Sequence, residues 1–157
     1  MSVNIIEEFD NALNATGWTK SLVAQSIHVT QAAVSNWLAR GDIPADMLIK
    51  LGRALKDYRF SLAIAEYLTG VRVLSDKRLQ DTPQARYFSQ AKEENDRKKL
   101  DPEFTLLLGK NKEDRTDTDR RRVLKYVKEL DEEIEEKSNY KAAIMRDWEL
   151  YIDEEVI

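Results

Sequence analysis

Apolar residues recur at helical spacing through the first 70 positions, broken by residues that cap or end helices. Ile5, Ile6, Phe9 and Leu13 fall on one stripe of a helix that ends at Thr16-Gly17. Thr19 is placed to cap a helix carrying Leu22, Val23 and Ile27, and Thr30 to cap one carrying Val34, Trp37 and Leu38. Arg40-Gly41 ends that third helix. Asp42-Ile43-Pro44 opens a fourth with Met47, Leu48, Leu51 and Leu55, and a fifth runs from about Tyr58 to Leu68 and stops at Gly70. Five short helices with tight connections predict one core over residues 1–70.

Beyond Gly70 the pattern changes. Val71-Arg72-Val73-Leu74 is β-like but too isolated to define a sheet. Thr82-Pro83 and Asp101-Pro102 each read as a cap followed by a first-turn proline. The first opens a polar, basic helix through Lys98-Lys99, the second a short helix closed by Gly109. Residues 111–119 are almost without apolar side chains and predict a solvated loop, with a flexible stretch near 110–118. Val123, Val127, Leu130 and Ile134 then repeat at 4, 3, 4 spacing, a short seam of heptad type. Ser138 is placed to cap a last helix with Ile144, Trp148, Tyr151 and Ile152 on one face. The expected fold is all-α: a compact domain over 1–70 and a helical region over 71–157.

Composition narrows the function classes. Of 157 residues only 5 are Gly and 3 Pro, few for an all-β fold. There is no Cys, which removes disulfides and thiol chemistry and suits a reducing cytoplasm. A single His cannot build a metal cluster. No apolar run approaches the length of a membrane span, and residues 1–15 hold three acids and no base, so secretory and membrane readings are set aside. The net charge of -4 is uneven: residues 1–70 sum to -1, residues 71–100 to +3 and residues 101–157 to -6.

The informative stretch is Lys20 to Gly41, KSLVAQSIHVTQAAVSNWLARG. Two helices cross steeply over a short turn only if a small residue lies at their contact, and Ala24 meets that need. Val23, Ile27, Val29, Val34 and Trp37 stand where side chains enter a shared core. Gln31, Ser35 and Asn36 are short polar residues on the outer face of the second helix. This is the helix-turn-helix pattern, whose second helix lies in the DNA major groove.

With those positions met, residues 1–70 resemble the Cro/repressor (XRE-like) helix-turn-helix family, a five-helix DNA-binding domain found in phage and bacterial regulators. VAQSIHVTQAAVSNWLARG is close to the family pattern Leu-Ala-x-x-x-Gly-Val-Ser-x-x-x-Val-Ser-x-Trp-x-x-Gly, with His28 standing where the family has a turn glycine. The resemblance implies base contacts from Gln31, Ala32, Ser35 and Asn36, and phosphate contacts from Lys20, Thr30 and Arg40. Gln and Asn can pair with the adenine N6/N7 edge, and alanine can meet a thymine methyl. A head of net charge -1 has little electrostatic hold on phosphate, so a dimer on an inverted repeat is expected.

Other motifs carry less. Ser89-Gln90-Ala91-Lys92 matches S-x-x-K, but its partner motifs Ser-Asp-Asn and Lys-Thr-Gly are absent. His28 has no second His or Cys to complete a metal site. The acids Asp131, Glu132, Glu133, Glu135 and Glu136 read as a solvated helix face. No glycine-rich phosphate loop occurs, so neither enzyme nor cofactor is expected. The helix around 117–137 reads as having arginines (Arg120, Arg121, Arg122) near its start and acids near its end, against the helix dipole. That order predicts an antiparallel partner across the seam Val123, Val127, Leu130 and Ile134. The partner could be a second copy, the 139–155 segment or another protein. The sequence therefore suggests a cytoplasmic DNA-binding transcriptional regulator, most simply a homodimeric repressor. An antitoxin-like or antirepressor-like protein whose acidic C-terminal helices bind a partner is the alternative.

Overall fold

The computed structural model describes residues 3–75 and 81–153. Among these residues it is all-α, with eight α-helices, one short 3-10 turn and no strand.

Helices α1 (Ile5–Thr16), α2 (Lys20–Ser26), α3 (Gln31–Arg40), α4 (Ala45–Leu55) and α5 (Tyr58–Thr69) form the head. Four start on side-chain caps: the oxygens of Asn4, Thr19, Thr30 and Asp57 accept the N–H groups of Glu7, Leu22, Ala33 and Phe60. Each cap satisfies a donor that the helix cannot pair internally. Their apolar stripes converge on one core, in which Phe9, Val23, Val34, Leu48, Leu51 and Phe60 are fully buried. Phe9 and Phe60 meet at its centre with ring centroids 5.7 Å apart.

The β-like run after Gly70 is irregular chain and joins no sheet among the described residues. The Glu66 carboxylate accepts the N–H groups of both Val73 and Leu74 at 3.0 Å, and the Leu74 side chain closes the floor of the core. A side chain therefore does the hydrogen bonding that a neighbouring strand would supply.

The remaining helices build an arm. Helices α6 (Pro83–Lys98) and α7 (Asp101–Leu108) run one way, and α8 (Asp117–Asp147) returns alongside both. The antiparallel order is plain from the pairs, since Arg97 meets Glu133 while Tyr87 meets Tyr140. Four expectations are corrected here. Helix α8 is unbroken, and Ser138 lies inside it without capping anything. The helix ends at Asp147, so Trp148, Tyr151 and Ile152 are not on a helical face. Asp101 does not cap α7 but reaches back to Arg97, accepting two N–H bonds at 2.8 Å. The 110–118 stretch is exposed yet structured, with a 3-10 turn at Lys112–Asp114 and a reciprocal cap between Thr116 and Asp119.

The expected conflict with the helix dipole is only partly kept, since Arg120, Arg121 and Arg122 do lie near the start of α8 but the acidic run is not at its end. Asp117 and Asp119 occupy the first turn of α8 and Arg146 the last, the favourable order. The acidic run lies in mid-helix and is not wholly solvated. Glu133 and Glu136 are buried; Glu133 accepts from Arg97 at 2.7 Å, and Arg86 lies 3.8 Å from Glu136. Burial pushes the Glu133 pKa up, but Arg97 and Lys137 outweigh it and hold it below the usual carboxylate range.

Polar contacts also join arm to head. Arg59 on α5 donates to Glu8 on α1 at 2.8 and 2.9 Å, and to Asn139 on α8 at 2.7 Å. Arg146 grips the buried Asp57 carboxylate at 2.8 and 3.0 Å, so one side chain both caps α5 and anchors α8. The Lys141 ammonium lies 4.3 Å from the centre of the Tyr58 ring. Among the described residues no helix is long and apolar enough to cross a membrane.

Candidate nucleic-acid interface

Helices α2 and α3 pack across a four-residue connection, Ile27 to Thr30, that ends at the Thr30 cap. Ala24, 2% exposed, sits where they approach, and its carbonyl accepts the Val29 N–H at 2.9 Å. The turn requires a left-handed residue, and His28 supplies it with φ 60°. Glycine occupies such positions without steric cost, whereas a residue with a Cβ is strained there. The imidazole is exposed and makes the turn without joining the core.

Helix α3 has two distinct faces. Val34 and Trp37 enter the core, and Ala33 and Leu38 pack at its margin. Gln31, Ala32, Ser35 and Asn36 are all exposed, and their spacing of 1, 3 and 1 residues puts them on one side of the helix. Ala39 is exposed one turn beyond Ser35 and extends that surface, a position the motif alone did not single out. Lys20 and Arg40 are exposed at the start of α2 and the end of α3. The Thr30 hydroxyl accepts the Ala33 N–H at 3.1 Å and still faces solvent. All seven residues named from the motif are thus solvent-facing on one pair of helices. Such a surface offers hydrogen-bond donors and acceptors to base edges and two cations to phosphate.

The other candidates separate differently. Val123 and Leu130 are partly buried, whereas Val127 and Ile134 remain 42% and 45% exposed. The antiparallel neighbour of α8 within the chain is α6 with α7, not the 139–155 segment. Ser89 and Lys92 sit on α6, but Lys92 is held by Asp96 and Glu93, which push its pKa up to about 12. Carboxylates of Glu93, Glu129 and Glu132 lie within 4.8 Å of one another, with the Lys92 ammonium 3.1 Å from Glu93.

The residues that motif reasoning missed are those that join arm to head: Glu8, Asp57, Arg59, Asn139 and Arg146. Their partners lie 51 to 89 positions away, so no local pattern announces them. Searches against family models, curated proteins and solved structures return no match for this chain.

Proposed function

We propose that this protein is a sequence-specific double-stranded-DNA-binding transcriptional regulator of phage or bacterial repressor type. It acts in the cytoplasm as a dimer on an inverted repeat and makes or breaks no covalent bond. The observation that carries this reading is the two-faced α3: its apolar side is locked in the core while Gln31, Ala32, Ser35 and Asn36 all face solvent. A helix so held can enter a major groove without unfolding or rearranging the head.

Base contacts then come from Gln31 and Asn36, with Ala32 and Ser35 beside them, while Lys20, Thr30 and Arg40 position the head on phosphates. The modest charge of the head makes a single copy a weak binder, and two copies with α3 helices about 34 Å apart would read successive turns of the groove. The exposed pair Val127 and Ile134, two helical turns apart on α8, is the proposed contact between copies. Fluorescence anisotropy on a selected site tests the reading. Gln31→Ala and Asn36→Ala should each cost about 1–3 kcal/mol on that site and relax choice at one or two base pairs. Lys20→Ala should weaken all sequences alike and flatten the salt dependence by about one unit of slope. Equal losses on all sequences for all three variants would mean that the wrong face has been assigned to the groove.

A further inference from the structure

The free end of the arm carries an apolar surface that neither the head nor the polar contact between α6 and α8 uses. Where α7 ends and α8 begins there is a crease of about 500 Å³, floored by Phe104, Leu107, Leu108 and Val123. Leu108 is 67% exposed and Leu106, on the same short helix, 80% exposed. Leucines this open in a charge-rich chain are costly to leave in water and mark surfaces that meet another molecule.

The surroundings of the crease say what would fit. Lys110, Arg115 and Arg120 line it beside Asp117 and Asp119, and residues 110–125 as a whole carry seven Lys/Arg against four Asp/Glu, a local surplus of +3 in a chain of net -4. One of those acids, Asp119, is already committed to Lys110 and to the Thr116 N–H. An apolar floor inside a basic rim complements a segment with apolar residues along one face and acids beside them. A second copy's tip carries the same positive surplus and would be repelled. The tip also stands away from the DNA-reading head: from Asn139, where α8 touches the head, to Asp117 is about 33 Å of helix.

We infer that the tip of the arm is a docking site for a short acidic amphipathic helix of another protein. Apolar residues spaced i, i+3 or i+4 would enter the crease, and flanking acids would face Arg115 and Arg120. The site would link a DNA-bound head to a partner held at a distance from the duplex. It does not depend on the DNA reading being correct, because the test below uses no DNA.

A displayed library of random 15-residue peptides, selected on the full chain and counter-selected on the Leu108→Glu variant, tests it. The expected survivors have apolar residues at i, i+3 or i+4 and more Asp/Glu than Lys/Arg. A synthetic survivor should bind the wild-type chain, lose at least tenfold with Leu108→Glu, and lose severalfold with Arg120→Glu or with raised salt. Lys128→Ala, exposed on α8 outside the crease, should bind as wild type. Circular dichroism checks that the variants keep their helix content, as changes at such exposed positions should. Absence of tip-dependent survivors, survivors without an acidic bias, or self-association of the chain abolished by Leu108→Glu would each overturn the inference.

Discussion

Removing the Arg59 guanidinium should loosen the arm from the head at a predictable cost. Arg59 presents two N–H groups to the two Glu8 oxygens at 2.8 and 2.9 Å and a third to Asn139 at 2.7 Å. The side chains of Arg59 and Glu8 are only 14% and 11% exposed, so water cannot readily replace the lost partner. Breaking a buried pair by deleting one member costs about 3–5 kcal/mol, because the other charge stays buried. Glu8 lies in the first turn of α1, where the helix dipole favours an acid, and keeps slight contact with solvent. The low end of that range applies, so Arg59→Met should lower unfolding free energy by about 3 kcal/mol in urea titrations. The double variant Glu8→Leu with Arg59→Met removes both charges and should recover all but about 1 kcal/mol. A loss below about 1 kcal/mol for Arg59→Met alone would refute the buried coupling of α1, α5 and α8.

Other consequences are more local. His28→Gly should keep the fold and DNA binding and raise stability by up to about 1 kcal/mol in thermal melts, because glycine relieves the strain of φ 60°; a comparable loss would mean that the imidazole makes a needed contact. The Lys110 ammonium, with the Thr116 backbone N–H, holds the Asp119 pKa near about 2, against an ordinary value near 4. Because the folded value is the lower one, the cap on α8 contributes fully above about pH 4 and fades as pH falls toward 2. Carboxyl chemical shifts would follow that titration, and a midpoint near 4 would contradict the cap geometry. Val127→Asp with Ile134→Asp should leave helix content intact yet make the chain monomeric by light scattering. A wild-type chain already monomeric at tens of micromolar on its site would remove the dimer.

The head was largely legible in the sequence because each of its helices carries its own instructions within about a dozen residues. Asn4, Thr19, Thr30 and Asp57 cap; Gly17, Gly41 and Gly70 end helices in the left-handed region; the apolar stripes between them point one way. His28 fell at the position in the α2–α3 turn that takes a positive φ. The arm was less legible because its decisive contacts are long-range and polar. Ser138 resembles a cap in isolation, but flanking residues such as Asn139 and Ala142 are buried and keep the helix continuous. The acidic run looked solvated because its counter-ions, Arg86 and Arg97, lie on another helix. The 71–74 run looked like a strand because Leu74 enters the core and Val73 packs at its margin, while the exposed Val71 completes an apolar alternation by sequence alone. Both arginine clamps between arm and head, Arg59 with Asn139 and Arg146 with Asp57, join polar residues that a hydropathy pattern assigns to solvent.

The central claim is that the outer face of α3 reads DNA sequence, and selection of bound duplexes from a random pool by the full chain tests it most directly. The account predicts enrichment of a defined inverted repeat, with half-sites about one helical turn apart or a multiple of it. It further predicts that Gln31→Ala and Asn36→Ala change which bases are enriched within each half-site. No enrichment over the starting pool at moderate salt, or an enriched site unchanged by both substitutions, would contradict it.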